Sequence, residues 1–248
     1  MNQSFFIAAV GAHQQQKNLN VSGNNLANIN TYGFKADRGV FSGLMYQNIK
    51  GQEREEVQTG LGAALLTTDT DFSQGALVQT GRWQDYMIDG DGFFALADLS
   101  TGEISFTRNG AFTVASRLRN SGFVDDQGQP IMETVYYLSD GDGRFVMGRD
   151  GNMIEVEDST AMQPIGIFDY NHYDGMEHQN GTRFMPVDKN GGLTLGTGTL
   201  VQGVLENSNV DLAAEMTKVI EIQRAYSMAL KMVTTTDEIE STINGLSG

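Results

Sequence analysis

The sequence predicts a mainly β central domain with α-helical N- and C-terminal segments that pair as a coiled coil, the two ends together forming a discontinuous terminal domain. Three observations carry that prediction. Apolar residues recur every seven positions through the first thirty residues, a second apolar stripe at helical spacing occupies the last forty, and between about 60 and 208 the period falls to two, punctuated by Gly, Asp and Asn.

At the N-terminus, Phe5, Ala12, Leu19 and Leu26 keep the seven-residue spacing, with the small or polar side chains Ala8, Ala9, Gln15 and Ser22 between them. This is the pattern of a thin coiled-coil seam. Gly11, Gly23 and the pair Asn24-Asn25 lower the intrinsic helicity, so this helix needs a partner. The partner is expected at the other end, where Leu212, Met216, Val219, Tyr226, Ala229, Leu230 and Val233 share one stripe of a helix running from about 211 to 244. Asp211 is its expected N-cap, Glu215 suits the dipole of the first turn, and Gly245 is the expected stop. The resulting division is 1–35 for the N-terminal helix and its exit, 36–70 for an extended connector fitting neither period, 71–208 for the β domain and 209–248 for the C-terminal helix.

Inside the β domain, Ile104, Phe106, Phe112 and Val114 alternate with polar residues around Asn109-Gly110, and Phe145, Met147, Ile154 and Val156 flank Asp150-Gly151. Both dipeptides are hairpin signals. Further short apolar runs at 135–138, 165–168, 193–195 and 199–205, separated by turn residues, complete an antiparallel all-β pattern.

The composition excludes several classes of partner. The chain has 248 residues, 40% hydrophobic and 19% charged, so it is long enough and apolar enough to build a core. Its formal charge is −15 with no basic cluster, which disfavours nucleic acid and anionic lipid, both of which need a cationic footprint. Cysteine is absent, so there is neither disulfide nor thiolate chemistry, as suits an exported protein that needs no oxidative folding. The apolar stretch Phe5–Val10 is short and is preceded by no Lys or Arg, so a cleavable signal peptide is not expected. No run is long enough to insert in a membrane.

Candidate chemistry is sparse. Asp89-Gly90-Asp91-Gly92 and Asp140-Gly141-Asp142-Gly143 resemble alternate acidic ligands of a calcium loop, but the twelfth positions are Ser100 and Gly151 instead of Glu, and turn formation accounts for both repeats. His172 and His178, near Asp169, Asp174 and Glu177, match no closed zinc spacing and read as a polar loop. His13 is expected at solvent or at a subunit contact. No nucleophile elbow or phosphate loop occurs, and no catalytic, cofactor or metal residue is expected. A calcium-dependent adhesin and a glycan-active enzyme using paired carboxylates are the rival classes, and neither has a use for the terminal residues.

The string Asn24-Asn25-Leu26-Ala27-Asn28-Ile29-Asn30-Thr31-Tyr32-Gly33-Phe34-Lys35 resembles the N-terminal signature of flagellar axial proteins, the rod, hook and hook-filament junction subunits. Glu206-Asn207-Ser208-Asn209-Val210-Asp211, with Glu215-Met216 and Gln223-Arg224-Ala225-Tyr226, resembles the C-terminal helix entry and seam of the same family. In the middle, Thr70–Gly81, Ile88–Phe94 and Thr107–Phe112 resemble the rod proteins and the hook subunit. The resemblance implies a structural rod subunit without cofactor, located in the basal body, exported unfolded or partly folded through the flagellar type III apparatus, and stacked with copies of itself and with other rod and hook subunits. Chain length favours a rod over a hook subunit, and the region from about 115 to 190 departs from the distal pattern and favours the proximal rod over the distal. The residues expected at the assembly interface are Phe5, Ala12, Leu19, Asn24, Asn25, Leu26, Asn28, Asn30, Gly33 and Phe34, together with the seven stripe residues of the C-terminal helix.

Overall fold

The computed structural model describes residues 3–43, 46–50, 56–60, 62–124, 130–157, 161–179 and 181–246, and the chain divides into two compact units. The first comprises residues up to 27, 36–71 and 210 onward; the second comprises 28–35 and 72–209.

The first unit contains helix α1 (Gln3–Ala27), strands β1 (Asp37–Gly43), β2 (Tyr46–Lys50), β3 (Glu56–Gly60) and β4 (Ala63–Thr70), and helix α2 (Leu212–Leu246). Strand β1 runs antiparallel to β4, with Asp37 opposite Thr70 and a register shift between Val40 and Phe41, while β2 pairs with β3 from Tyr46–Gly60 to Lys50–Glu56. The segment read as an extended connector is therefore extended but paired, with residues 44–45, 51–55 and 61 lying outside the described ones. Its periodicity is weak because β1 and β4 are buried on one side only in part, so apolar and polar positions alternate poorly. Cross-strand polar pairs help hold them: Arg38 Nη2 donates to Asp69 Oδ2 at 2.6 Å and Thr70 Oγ1 to Asp37 Oδ1 at 2.7 Å. One side of α1 lies on this ribbon, where the Leu65 N–H donates to Gln14 Oε1 at 3.1 Å.

Helix α2 starts where the sequence places it. The Asp211 carboxylate accepts the N–H groups of Ala213 and Ala214 at 2.9 and 3.3 Å, satisfying two of the free donors of the first turn. Its end differs from expectation, because the helix runs through Gly245 to Leu246. A Cβ at Gly245 would meet nothing, so no close approach forces the chain out of helix there.

The second unit holds β5 (Leu77–Gln79), β6 (Tyr86–Asp89), β7 (Phe93–Ala97), β8 (Ile104–Thr107), β9 (Thr113–Val124), β10 (Pro130–Ser139), β11 (Phe145–Val146), β12 (Ile167–Asp169), β13 (Glu177–Gln179), β14 (Arg183–Met185), β15 (Thr194–Leu195), β16 (Thr199–Gln202) and β17 (Val204–Glu206). The main sheet has the order β13-β14-β8-β7-β11-β10-β9, with β12 joining β7 and β15 joining β12; β16 pairs with β6 and β17 with β5. All pairings are antiparallel. Strand β7 is apolar without alternation because both its faces are covered. Phe94 and Leu96 enter a cluster with Tyr86, Phe112, Leu138 and Val146, whereas Phe93 and Ala95 enter another with Phe106, Tyr170 and Phe184.

The two hairpin signals fare differently. Gly151, at φ 74°, lies in a tight turn in which the Gly148 N–H donates to the Asn152 carbonyl, bringing Met147 opposite Met153, so Asp150-Gly151 does reverse the chain as the dipeptide signals. Asn109-Gly110 is no hairpin turn: β8 pairs with β7 and β14, and β9 pairs with β10. Gly110 is needed for a different reason, since a Cβ there would stand 1.7 Å from the Tyr86 carbonyl oxygen.

Candidate assembly surfaces

Helices α1 and α2 lie along one another and run antiparallel. At one end Asn25 Nδ2 donates to Glu215 Oε1 at 3.1 Å, and further along Gln15 and Leu19 share a groove with Gln223 and Tyr226. On α1, Phe5, Ala8, Ala12, Gln15, Leu19, Ser22 and Leu26, spaced three and four apart, are all buried or half-buried. On α2 the same spacing picks out Glu215, Val219, Ile222, Tyr226, Ala229, Val233, Thr236 and Glu240, again buried or half-buried. Four expected seam residues of α2, Val219, Tyr226, Ala229 and Val233, thus fall together. Ile222 was missed, although it is the most buried apolar residue of this helix at 4% exposure; the 219–222–226 spacing would have found it.

Leu212, Met216 and Leu230 instead face outward, at 48%, 54% and 43% exposure. They belong to a long outer surface of α2 that also carries Ile220, Met228, Met232, Ile239 and Ile243, and α1 adds Phe6 and Val10. Single exposed apolar residues are ordinary, but here they follow one another along a 35-residue helix.

The signature residues separate into inward and outward groups. Asn25 is fully buried: its Oδ1 accepts the Asp37 N–H at 2.9 Å, and its Nδ2 donates to the Asp37 carbonyl at 2.7 Å as well as to Glu215. Asn24 and Asn30 are exposed and Asn28 half-buried, with Thr31 Oγ1 donating to Asn28 Oδ1 at 3.2 Å. Gly33 has φ 68°, and a Cβ there would lie 2.3 Å from the Asn109 nitrogen, so only glycine fits. Phe34 is fully buried. In the second unit this segment is fastened by Glu206, which the sequence shows only as the first residue of the C-terminal motif, with no role of its own. The Gly33 N–H donates to the Glu206 carbonyl at 2.8 Å, and Lys35 Nζ to Glu206 Oε1 at 2.6 Å and to the Ser73 carbonyl at 2.7 Å. Glu206 Oε1 also accepts the Gly75 N–H at 2.9 Å, while its Oε2 faces Arg108 Nη1 at 3.5 Å.

The acidic turns are structural. Asp140 Oδ1 accepts the N–H groups of Asp142 and Arg144 at 3.0 and 2.7 Å, and burial pushes its pKa up. Tyr173 donates to Asp169 Oδ1 at 2.6 Å, and burial, with that bond, pushes its phenol pKa up. Among the described residues no three His, Asp or Glu side chains converge as metal ligands, and no helix is long and apolar enough to cross a membrane.

Paired terminal helices with an apolar outer face, carried with a β-rich unit, are the architecture of a structural subunit built to assemble. Known proteins specify which. Residues 7–35 match the family "Flagella basal body rod protein", 87–167 the "Flagellar hook protein FlgE/F/G D1 domain" and 201–246 the "Flagellar basal body rod FlgEFG protein C-terminal". Flagellar basal-body rod protein FlgG of Buchnera aphidicola from Schizaphis graminum is 34% identical over 96% of this chain and 97% of its own length, as is that of Bacillus subtilis. The flagellar hook protein FlgE of Treponema pallidum is 42% identical over 46% of this chain and 26% of its own. The chain belongs to the flagellar basal-body rod protein family: it is a structural axial subunit of the basal body and not an enzyme.

Proposed function

We propose that this subunit polymerises through a terminal assembly domain made from both chain ends, with α1 and α2 paired as a coiled coil, and that it stacks with copies of itself and with other rod and hook subunits. The observation that carries this reading is the outer face of α2, where Leu212, Met216, Ile220, Met228 and Leu230 stand exposed. Subunits joined by heterologous contacts that do not close extend along one axis, which suits a rod. Of the expected interface residues, we assign Leu212, Met216, Leu230, Asn24 and Asn30 to contacts with a neighbour and Phe5, Leu19, Leu26, Val219, Tyr226, Ala229 and Val233 to the seam; Ala12 and Asn25 support the helical unit from within, and Asn28, Gly33 and Phe34 shape the signature segment of the second unit. Delivery through the flagellar type III export apparatus belongs to the same reading, because helices this dependent on one another are poorly stable as single chains.

Replacing Leu230 and Val233 together by Asp tests it. The expected result is loss of motility and of rod incorporation with the β-type circular dichroism intact, because Asp at 230 sets a charge in the outer contact and Asp at 233 sets one in the α1–α2 seam that supports it. Normal swimming, or unfolding of the β unit, overturns the proposal. Cross-linking the wild-type chain in assembled rods identifies its axial neighbours, and so tests the proximal position expected from residues 115–190.

A further inference from the structure

The geometry points to the outer edge of β9 as a docking strand, to which an acidic extended segment of a second copy of this chain adds itself as a further strand of the main sheet. The inference rests on the assembly reading for its setting. Strand β9, with 12 residues, closes one end of that sheet, whose other end is the three-residue β13. Its backbone groups can be sorted by direction. The Leu138 N–H donates to the Ile154 carbonyl and the Tyr136 carbonyl accepts the Val156 N–H, so both residues turn their backbone away from β9. Opposite residues of an antiparallel ladder either bond each other or both face away. Val114 and Ser116, which stand opposite Leu138 and Tyr136, and by the same alternation Leu118, therefore point N–H and C=O out of the sheet, where they meet no partner among the described residues. Such an edge is usually blunted by proline, a bulge or a covering element. Residues 114–119 have neither proline nor register shift, and 116–120 are exposed. Leu118, Met132 and Tyr136, at 61%, 53% and 52% exposure, share one face of the β9–β10 ribbon and offer an apolar floor to alternate side chains of an added strand. Charge selects that strand. Arg119 is paired with Glu155, whereas exposed Arg117 has no ion pair among the described residues. A free cation on the edge admits an acidic strand and repels a basic one. A second copy supplies it, because the chain is an axial subunit with 31 acidic against 16 basic residues. Edge and added segment are different surfaces, so the contact does not close and extends along an axis.

Hydrogen exchange compared between the full-length monomer and assembled rods tests the docking strand. Amides of Val114, Ser116 and Leu118 should exchange freely in the monomer and slow by on the order of a hundredfold in rods, while those of Ala115 and Arg117, already directed at β10, should change little. Packing against the apolar face alone would slow both sets alike. That result, or no slowing of the first set, overturns the proposal. Ser116→Pro removes one outward N–H and spares the bonds to β10, which an edge strand tolerates. Its monomer should keep the β-type circular dichroism, and its incorporation in competition with wild type should fall by about tenfold; undiminished incorporation counts against the docking strand. If Ser116→Pro does not fold, Arg117→Glu decides: its incorporation should fall and recover as salt screens the added charge, and full incorporation at low salt overturns the acidic partner. The wild-type chain has no cysteine, so Leu118→Cys carrying a photo-crosslinker reports the occupant. A cross-link to another copy in rods supports the proposal; one to a different protein, or none, overturns it. Loss of the alternating protection in rods that the chain still enters sinks the docking strand alone, whereas alternation retained in rods of the Leu230/Val233 double variant sinks assembly through the helices alone.

Discussion

Single residues in this chain are often constrained by a neighbour's backbone, which local sequence cannot show. Gly110 reads as half of a hairpin dipeptide, yet its place is fixed by the Tyr86 carbonyl 1.7 Å from where a Cβ would lie. Gly110→Ala should cost about 2–3 kcal/mol of stability, in the range of overpacking a core, measured by urea denaturation of the β unit; a loss within error would show that the backbone gives way easily. The role of Glu206 was illegible for the same reason, since its partners Lys35, Gly75 and Arg108 are distant in sequence. The capping role of Asp211 was legible, because a cap acts within three residues. Burial pushes the phenol pKa values of Tyr86, Tyr170 and Tyr173 above the ordinary value, with the Asp169 bond adding to the effect at Tyr173. A raised folded pKa means that the fold favours the protonated phenol, so this contribution is fully present below the unfolded value of about 10 and is lost as pH rises through the folded ones. Ultraviolet titration should show Tyr86, Tyr170 and Tyr173 ionising late, together with unfolding; ionisation of these three in the ordinary range would contradict their burial.

At the scale of elements, both terminal helices and the β character of the middle were readable, because each periodicity follows from one buried stripe or face. Strand order was not, since β7 finds β8, β11 and β12 through pairings that no local pattern encodes. The ribbon β1–β4 escaped for the converse reason: so little of it is buried that its alternation is faint. Within α2, the stripe read from the sequence mixed two surfaces, an inner one with Val219, Tyr226, Ala229 and Val233 and an outer one with Leu212, Met216 and Leu230. Truncation separates them. Ile222→Ala should destabilise the helical unit by about 2–4 kcal/mol, as expected for a buried Ile, whereas Leu212→Ala should stay within about 0.5 kcal/mol. Helical ellipticity followed through a denaturant transition compares the two, and equal losses would mean that the outer face is packed within the monomer.

For the whole molecule the dominant property is the charge of −15, which in the proposed stacking every copy brings to the contact. Like-charged subunits repel across a contact until salt shortens the range of that repulsion to about 8 Å near physiological ionic strength. Association of the purified chain, followed by sedimentation, should therefore strengthen as salt rises from about 10 mM to about 150 mM, the reverse of what basic–acidic complementarity would give. A polymer also multiplies any ambiguity of its repeating part, and here the buried Asn25 amide takes on a metrological role. Sliding α1 by one helical turn, about 5.4 Å, would carry the Asn25 amide away from the Asp37 N–H and C=O that it now engages, and one of the two directions would put Val21 in its place. In the assembly proposed above, Asn25 acts as an index pin: each subunit presents its outer face at one fixed height, and an offset that would be trivial in a single copy is kept from accumulating along the length of the shaft.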